Sequence, residues 1–136
     1  MSIDAPANLA CIHAGDDLLV LDKPTGLLCV PGRGPGKQDA LSVRAQAQWP
    51  DALIVHRLDQ PTSGLVLMAR GQPMQRALSK TFAERRVHKR YQAIVAGRLL
   101  PDATADDDGW SEITLPIASD WERRPLRVVD AQRGKP

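Results

Sequence analysis

Apolar residues along this chain come in short blocks divided by Gly, Pro and Asp, and the blocks alternate between strand-like and helix-like periods. Leu18 to Asp22 predicts a short buried strand, ended by Lys23-Pro24-Thr25-Gly26, with a second short apolar run from Leu27 to Val30. Pro31-Gly32-Arg33-Gly34-Pro35-Gly36-Lys37 predicts a flexible loop. Asp39 stands where it would cap a helix running to about Trp49, with Leu41, Val43 and the alanines as its apolar content. A strand is expected at Leu53 to Val55 and a buried one at Leu65 to Ala69. Gln72 to Arg86 carries the clearest helical pattern, because Met74, Ala77, Leu78 and Phe82 fall on one stripe opposite Arg76, Lys80 and Glu84. That stripe reads as core. Val87 to Ala96 predicts a long strand, Pro101 to Gly109 an acidic loop, and Ser111 to Ile117 and Leu126 to Val129 further strands.

Strands mixed with helices, without regular βαβ alternation, predict an α+β fold with a mixed, mainly antiparallel sheet and flanking helices. The length of 136 residues suits one small domain, and neither an internal repeat nor a second domain is visible. A formal net charge of +2 allows binding to a polyanion without demanding it. The charge is unevenly placed: Arg85, Arg86, His88, Lys89 and Arg90 crowd the approach to Tyr91, and Arg123, Arg124 and Arg127 form another group. Such clusters either pair with phosphates or are solvated helix ends favoured by the helix dipole. Cys11 and Cys29 make no pattern and suggest reduced thiols. With no signal-like N-terminus and no apolar run long enough to span a bilayer, a cytoplasmic location is expected.

Candidate metal and nucleotide motifs are weak. The glycine-rich loop lacks the first Gly of a Walker A motif and the Ser or Thr after its Lys. In the acidic loop, Thr104 and Leu115 stand where calcium ligands would be needed, and the histidines show no metal-ligand spacing, so no metal or other cofactor is expected. A hydrolase triad of His56, Asp59 and Ser63 fails, since residues within eight positions would hardly converge and no Gly-x-Ser-x-Gly elbow is present.

The strong signal is His56-Arg57-Leu58-Asp59-Gln60-Pro61-Thr62-Ser63-Gly64, a loop between strand-like segments. Taken alone, Asp59 would be read as a turn-capping carboxylate. The pattern His-Arg-Leu-Asp-x-x-Thr-Ser-Gly, however, resembles the signature of the RluA family of RNA pseudouridine synthases, and seven fixed residues recur by chance at roughly one position in a billion. Lys89-x-Tyr91-x-Ala93 is similar to the Lys-x-Tyr-x-Ala segment of that family, and Asp22-Lys23-Pro24-Thr25-Gly26 resembles its Asn-Lys-Pro-x-Gly segment.

The resemblance implies that uridines of RNA, in large-subunit ribosomal RNA, in tRNA or in both, are isomerised to pseudouridine without a cofactor. Uracil leaves its ribose at a ring nitrogen, turns, and rejoins at a ring carbon. Asp59 is then the catalytic carboxylate, attacking the nucleoside or removing a sugar proton; both routes stay open. Arg57 is implied to fill the gap left by a flipped base, against the alternative of a plain salt bridge. Tyr91 is implied to lie against the uracil, and otherwise would be a core tyrosine. His56 is expected to order the loop beside the RNA, Thr62 and Ser63 to cap the turn with their hydroxyls, and Gly64 to let the chain re-enter a strand. Arg85, Arg86, Lys89 and Arg90 are candidate RNA contacts. The Lys23 segment is implied to pack beneath the catalytic loop, with Lys23 a candidate phosphate contact and not a catalytic group. Residues 1–136 would form the N-terminal portion of a catalytic domain of the compact subgroup, which has no separate S4 RNA-binding domain. A Gly-Arg-x-His-Gln segment, whose Arg pairs with the catalytic Asp in the family, is missing from the sequence. A truncated, catalytically inactive RNA-binding fragment is therefore the rival expectation.

Overall fold

The computed structural model describes residues 9–100 and 104–135. The chain divides into two compact units, the first ending at Arg90 and the second beginning at Tyr91. Both contain antiparallel strands and the first adds helices, so the architecture is α+β.

In the first unit, strands β1 (Ala10–Ala14), β2 (Leu18–Lys23), β3 (Ala52–Ile54) and β4 (Gly64–Arg70) form one sheet in the order β1-β2-β4-β3. β2 and β4 pair along their whole length, from Leu18 opposite Ala69 to Lys23 opposite Gly64. Alternation along β2 buries Leu19, Leu21 and Lys23, and their partners across the ladder bury Met68 and Val66 on the same face. Leu41 and Ala45 of helix α1 (Leu41–Gln48), together with Leu9, Leu27, Cys29 and Ala52, complete this core. Each large aliphatic side chain buried there contributes about 1.5–3 kcal/mol relative to exposure. At the far end of the sheet, the Arg70 guanidinium holds the Asp51 carboxylate at 3.1 Å and the Gly15 carbonyl at 3.2 Å, which ties β4 to both flanking turns.

Local chemistry departs from expectation at several places. Asp39 does not cap α1. The N-cap residue is Ala40, and the first free N–H groups, of Leu41 and Ser42, donate to the carbonyls of Leu28 and Cys29 at 2.7 and 3.0 Å. With those donors satisfied by a neighbouring segment, Asp39 forms a bidentate pair with Arg44, whose hydrogen bonds hold its carboxyl below the usual range. β1 was invisible in the sequence because it is an edge strand with every side chain exposed and a bulge between Cys11 and His13, so no alternation marks it. The stripe on helix α2 (Gly71–Ala83) packs on β4 and β3, yet none of its side chains is fully buried; Met74, Leu78 and Phe82 are half-buried and Ala77 is exposed. That stripe is a partly covered face and not core.

In the second unit, β5 (Ile117–Ser119) and β6 (Arg127–Val129) make a hairpin, whose turn is held by the Asp120 carboxylate accepting from the N–H groups of Glu122 and Arg123. The strand expected at Ser111 to Ile117 thus begins only at its last residue. Val87 to Ala96 is not a strand at all: among the described residues no segment offers it a ladder, and apolar sequence without a partner does not make a strand. The acidic loop lies partly outside the described residues. Within it Asp106 accepts from the N–H groups of Asp108 and Trp110, which is turn chemistry.

Helix α2 ends in a Schellman arrangement, in which the Arg86 N–H donates to Thr81 at 3.0 Å and the Arg85 N–H to Phe82 at 3.1 Å. Arg85 sits where glycine is favoured, with φ of 54°, and among the described residues it is the sole non-glycine with positive φ. Arg85→Gly is expected to raise the stability of the chain by about 0.5–1 kcal/mol, since the left-handed conformation costs a side chain roughly 1–2 kcal/mol and the gain is offset by the backbone entropy of glycine. Urea unfolding monitored by circular dichroism checks this; an unchanged or lowered midpoint contradicts it.

Candidate active site

β2 ends and β4 begins at the same edge of the sheet, because Lys23 is the partner of Gly64 in the ladder. The segments leaving these strands, Lys23 to Leu27 and His56 to Ser63, are therefore neighbours, and a buried lysine joins them. Lys23 is fully buried, as the strand alternation requires. Its ammonium donates to the carbonyls of Leu27 at 2.7 Å, Pro24 at 3.0 Å and Gln60 at 3.1 Å. An ammonium has three protons to donate, and all are used, which is the condition under which a charge is tolerated away from water. Lys23 is accordingly no phosphate contact. The Gln60 carbonyl also accepts the Gly26 N–H at 2.8 Å, the Gln60 side-chain amide returns a bond to the Gly26 carbonyl at 3.0 Å, and the Thr25 hydroxyl donates to Pro61 at 2.6 Å.

The turn above this support is closed by the Thr62 N–H donating to the Asp59 carbonyl at 3.0 Å. Among the described residues the hydroxyls of Thr62 and Ser63 make no hydrogen bond, so the capping role expected of them is taken by the backbone and by Thr25. Gly64 leaves the turn at φ of 123°, a region closed to ordinary side chains, as the first residue of β4.

Side chains from His56 to Asp59 alternate. Leu58 packs on the core, and its N–H donates to the Cys29 thiol at 3.2 Å. His56 is half-buried; its Nε2 accepts the Leu67 N–H at 2.9 Å and its ring stacks on Phe82 with centroids 4.4 Å apart. An N–H aimed at Nε2 requires an unprotonated nitrogen there, so the neutral ring carries its proton on Nδ1. Burial, and then the nearby Lys89 ammonium, depress the His56 pKa below its ordinary value of 6.5. This geometry also removes the hydrolase reading, because Nε2 is not free to serve Ser63.

Arg57 and Asp59 face the other way. Both are exposed, and both line a cleft of about 460 Å³ with Gln60, Leu58 and the segment Leu28 to Gly32. Among the described residues neither the Asp59 carboxylate nor the Arg57 guanidinium has an ion pair or a side-chain hydrogen bond, whereas Asp39, Asp51, Asp120 and Asp130 are each paired with an arginine. Arg85, Lys89 and Arg90 are exposed beyond α2, and Arg86 is paired with Glu84 at 2.8 Å. Tyr91 opens the second unit and is 60% exposed, not a core tyrosine.

The family model for RNA pseudouridylate synthase matches residues 17–136, which includes every element of this cleft. The chain belongs to the RNA pseudouridylate synthase family. It is 41% identical over 125 residues to the dual-specificity RNA pseudouridine synthase RluA of Vibrio vulnificus, covering 92% of this chain and 47% of the relative. It is 38% identical over 128 residues to the protein of the same name from Escherichia coli, covering 94% of this chain and 55% of the relative. The chain thus spans about half the length of these curated relatives. Among solved structures, human RNA pseudouridylate synthase domain containing 4 matches 57% of this chain and 30% of its own, at 27% identity and a TM-score of 0.45.

For this member of the family, sequence reasoning missed the parts that hold the cleft in shape: the thiol of Cys29, the Gln60 amide and Phe82 beneath His56. The first two carry no motif signal. Phe82 was read only as helix stripe, although the half-apolar imidazole of His56 needed a neighbour. The buried place of Lys23 was legible, since it continues the Leu19, Leu21 alternation.

A pH dependence follows from His56. Its folded-state pKa is depressed, so its contribution to stability is whole above about pH 6.5 and is lost as pH falls through the lowered folded value, where protonation ends the bond from Leu67. His56→Gln keeps an acceptor without titrating. The stability advantage of the wild type over this variant should shrink between about pH 7 and 5 in urea unfolding; an advantage that grows on acidification contradicts the assignment.

Proposed function

We propose that this chain is the carboxylate-bearing N-terminal portion of a catalytic domain that converts specific uridines of RNA to pseudouridine, with Asp59 as the catalytic carboxylate. The observation that carries this reading is a contrast within one loop: the backbone around Asp59 is pinned by Lys23, Gly26 and Leu58, while its carboxylate stands unpaired in a cleft. A fixed backbone with an uncommitted carboxylate is what reaction on a bound sugar requires. The cleft volume is within the range of sites that take a nucleoside-sized ligand, about 300–1,000 Å³.

A uridine in a folded RNA must leave its stack to reach Asp59, and Arg57, on the same face two residues earlier, is the group that fills the vacated space. Asp59 then acts on the ribose while the uracil is detached and turned. Tyr91 lies against the base. Arg85, Arg86, Lys89 and Arg90 contact the phosphates. The relatives' names, dual-specificity RNA pseudouridine synthase, support more than one RNA substrate, for which ribosomal RNA, tRNA or both are proposed. Both cysteines are free thiols, as suits the reducing cytoplasm, and no helix among the described residues is long and apolar enough to cross a membrane. Residues 1–136 alone are silent in this proposal, because the carboxylate lacks the cationic partner that would preorganise it.

Tritium release from RNA labelled at uridine C5 tests the proposal. The chain completed with the second half of the Escherichia coli relative should release tritium, and the 136 residues alone should not. Asp59→Ala in the completed protein should abolish release while leaving RNA affinity within a few-fold. Pseudouridine formation by the Asp59→Ala protein would remove Asp59 from its role.

A further inference from the structure

The glycine-rich segment after Val30 is not a slack linker. The Gly32 N–H donates to the Lys37 carbonyl at 2.8 Å, which closes the loop on itself, and the Gln38 side-chain amide reaches the Gly32 carbonyl at 3.4 Å. Gly34 and Gly36 make this closure possible with φ of 94° and 76°. Val30, Pro31 and Gly32 also line the cleft that holds Arg57 and Asp59.

Gly32 serves a different purpose from the other two. Its backbone is not in the left-handed region, so alanine is conformationally allowed there. What alanine would meet is a neighbour: a Cβ on Gly32 would lie 3.0 Å from Lys37 Cβ and 3.1 Å from Lys37 Cδ. The aliphatic stem of Lys37 therefore lies against Gly32, one of the residues that line the cleft, and the residue is exposed to solvent. Four cations of the first unit are ion-paired elsewhere, Arg44 to Asp39, Arg70 to Asp51, and Lys80 and Arg86 to Glu84. Lys37 has no such partner among the described residues, and it belongs to the loop that walls the cleft.

We propose that Lys37, laid over Gly32, is an RNA-backbone contact that positions the phosphodiester beside the target nucleoside. The proposal rests on the RNA-modifying reading of the cleft. A nucleotide is flipped by rotation about its own backbone, so its flanking phosphates remain at the mouth of the cleft when the base is inside. An ammonium whose stem is seated against a cleft-lining glycine, with no carboxylate to neutralise it among the described residues, is matched to such a phosphate. The loop is thus a phosphate contact for a nucleic-acid strand and not a nucleotide-triphosphate cradle, for which it lacks the flanking residues.

Fluorescence anisotropy with a labelled RNA stem-loop carrying uridines in its loop, titrated with the 136-residue chain across a range of salt, tests this. Lys37→Gln should weaken binding several-fold at low salt and reduce the slope of log K against log salt by about one unit. Gly32→Ala, which leaves net charge untouched, should weaken binding in the same direction by pushing Lys37 off its seat, and Lys37→Arg should retain the wild-type slope. Affinity and slope unchanged in Lys37→Gln, with salt-dependent binding by the wild type intact, would overturn this inference alone. Absence of salt-dependent RNA binding by the wild type would overturn it together with the proposed function. Equal binding by Gly32→Ala and wild type would show that Lys37 is not held by Gly32, and would overturn the packing that places it.

Discussion

The ammonium of Lys23 is the interaction on which the site depends. The alternation of β2 drives this side chain inward behind Leu19 and Leu21, at the edge of the sheet where the loops emerge. A buried charge without a counter-ion is costly unless its protons are all met, and here backbone carbonyls meet them. Because one of those carbonyls belongs to Gln60, the residue after Asp59, the need to satisfy the lysine fixes the loop that carries the carboxylate. Removing the lysine would leave the buried Leu27 carbonyl short of a partner, at about 1–3 kcal/mol.

Around that anchor the loop is built by division of labour between successive residues. His56 and Leu58 turn inward and are tied to β4, Phe82 and Cys29; the side chains of Arg57 and Asp59 turn outward and are tied to nothing among the described residues. Rigidity is supplied by His56 and Leu58, while the side chains of Arg57 and Asp59 keep their charges available. This gives the His-Arg-Leu-Asp order of this chain a physical reason: an extended backbone alternates sides, so inward-packed and outward-facing residues alternate too.

Much of this was legible in the sequence. The apolar blocks of β2 and β4, the stripe of α2 and the signature around Asp59 gave the α+β class, the family and the location of the loop. What escaped shares a cause, since it depends on partners distant in sequence. Asp39 has the right chemistry for a cap, but the Leu28 and Cys29 carbonyls arrived first. Val87 to Ala96 has strand composition, but a strand exists only through its ladder. Thr62 and Ser63 are good turn residues, but the turn is held from below by Thr25 and Lys23. The glycine-rich loop read as a linker, because nothing in its composition shows that Gly32 is small to seat Lys37.

Amide hydrogen exchange in Lys23→Met tests the central claim most directly. If the ammonium holds the loop, the N–H groups of Gly26, Leu58 and Thr62 should lose protection, while the β2–β4 ladder, whose apolar pairs are untouched, stays protected. Loop amides as protected in the variant as in the wild type would contradict the account, and would mean that Asp59 is positioned by something other than Lys23.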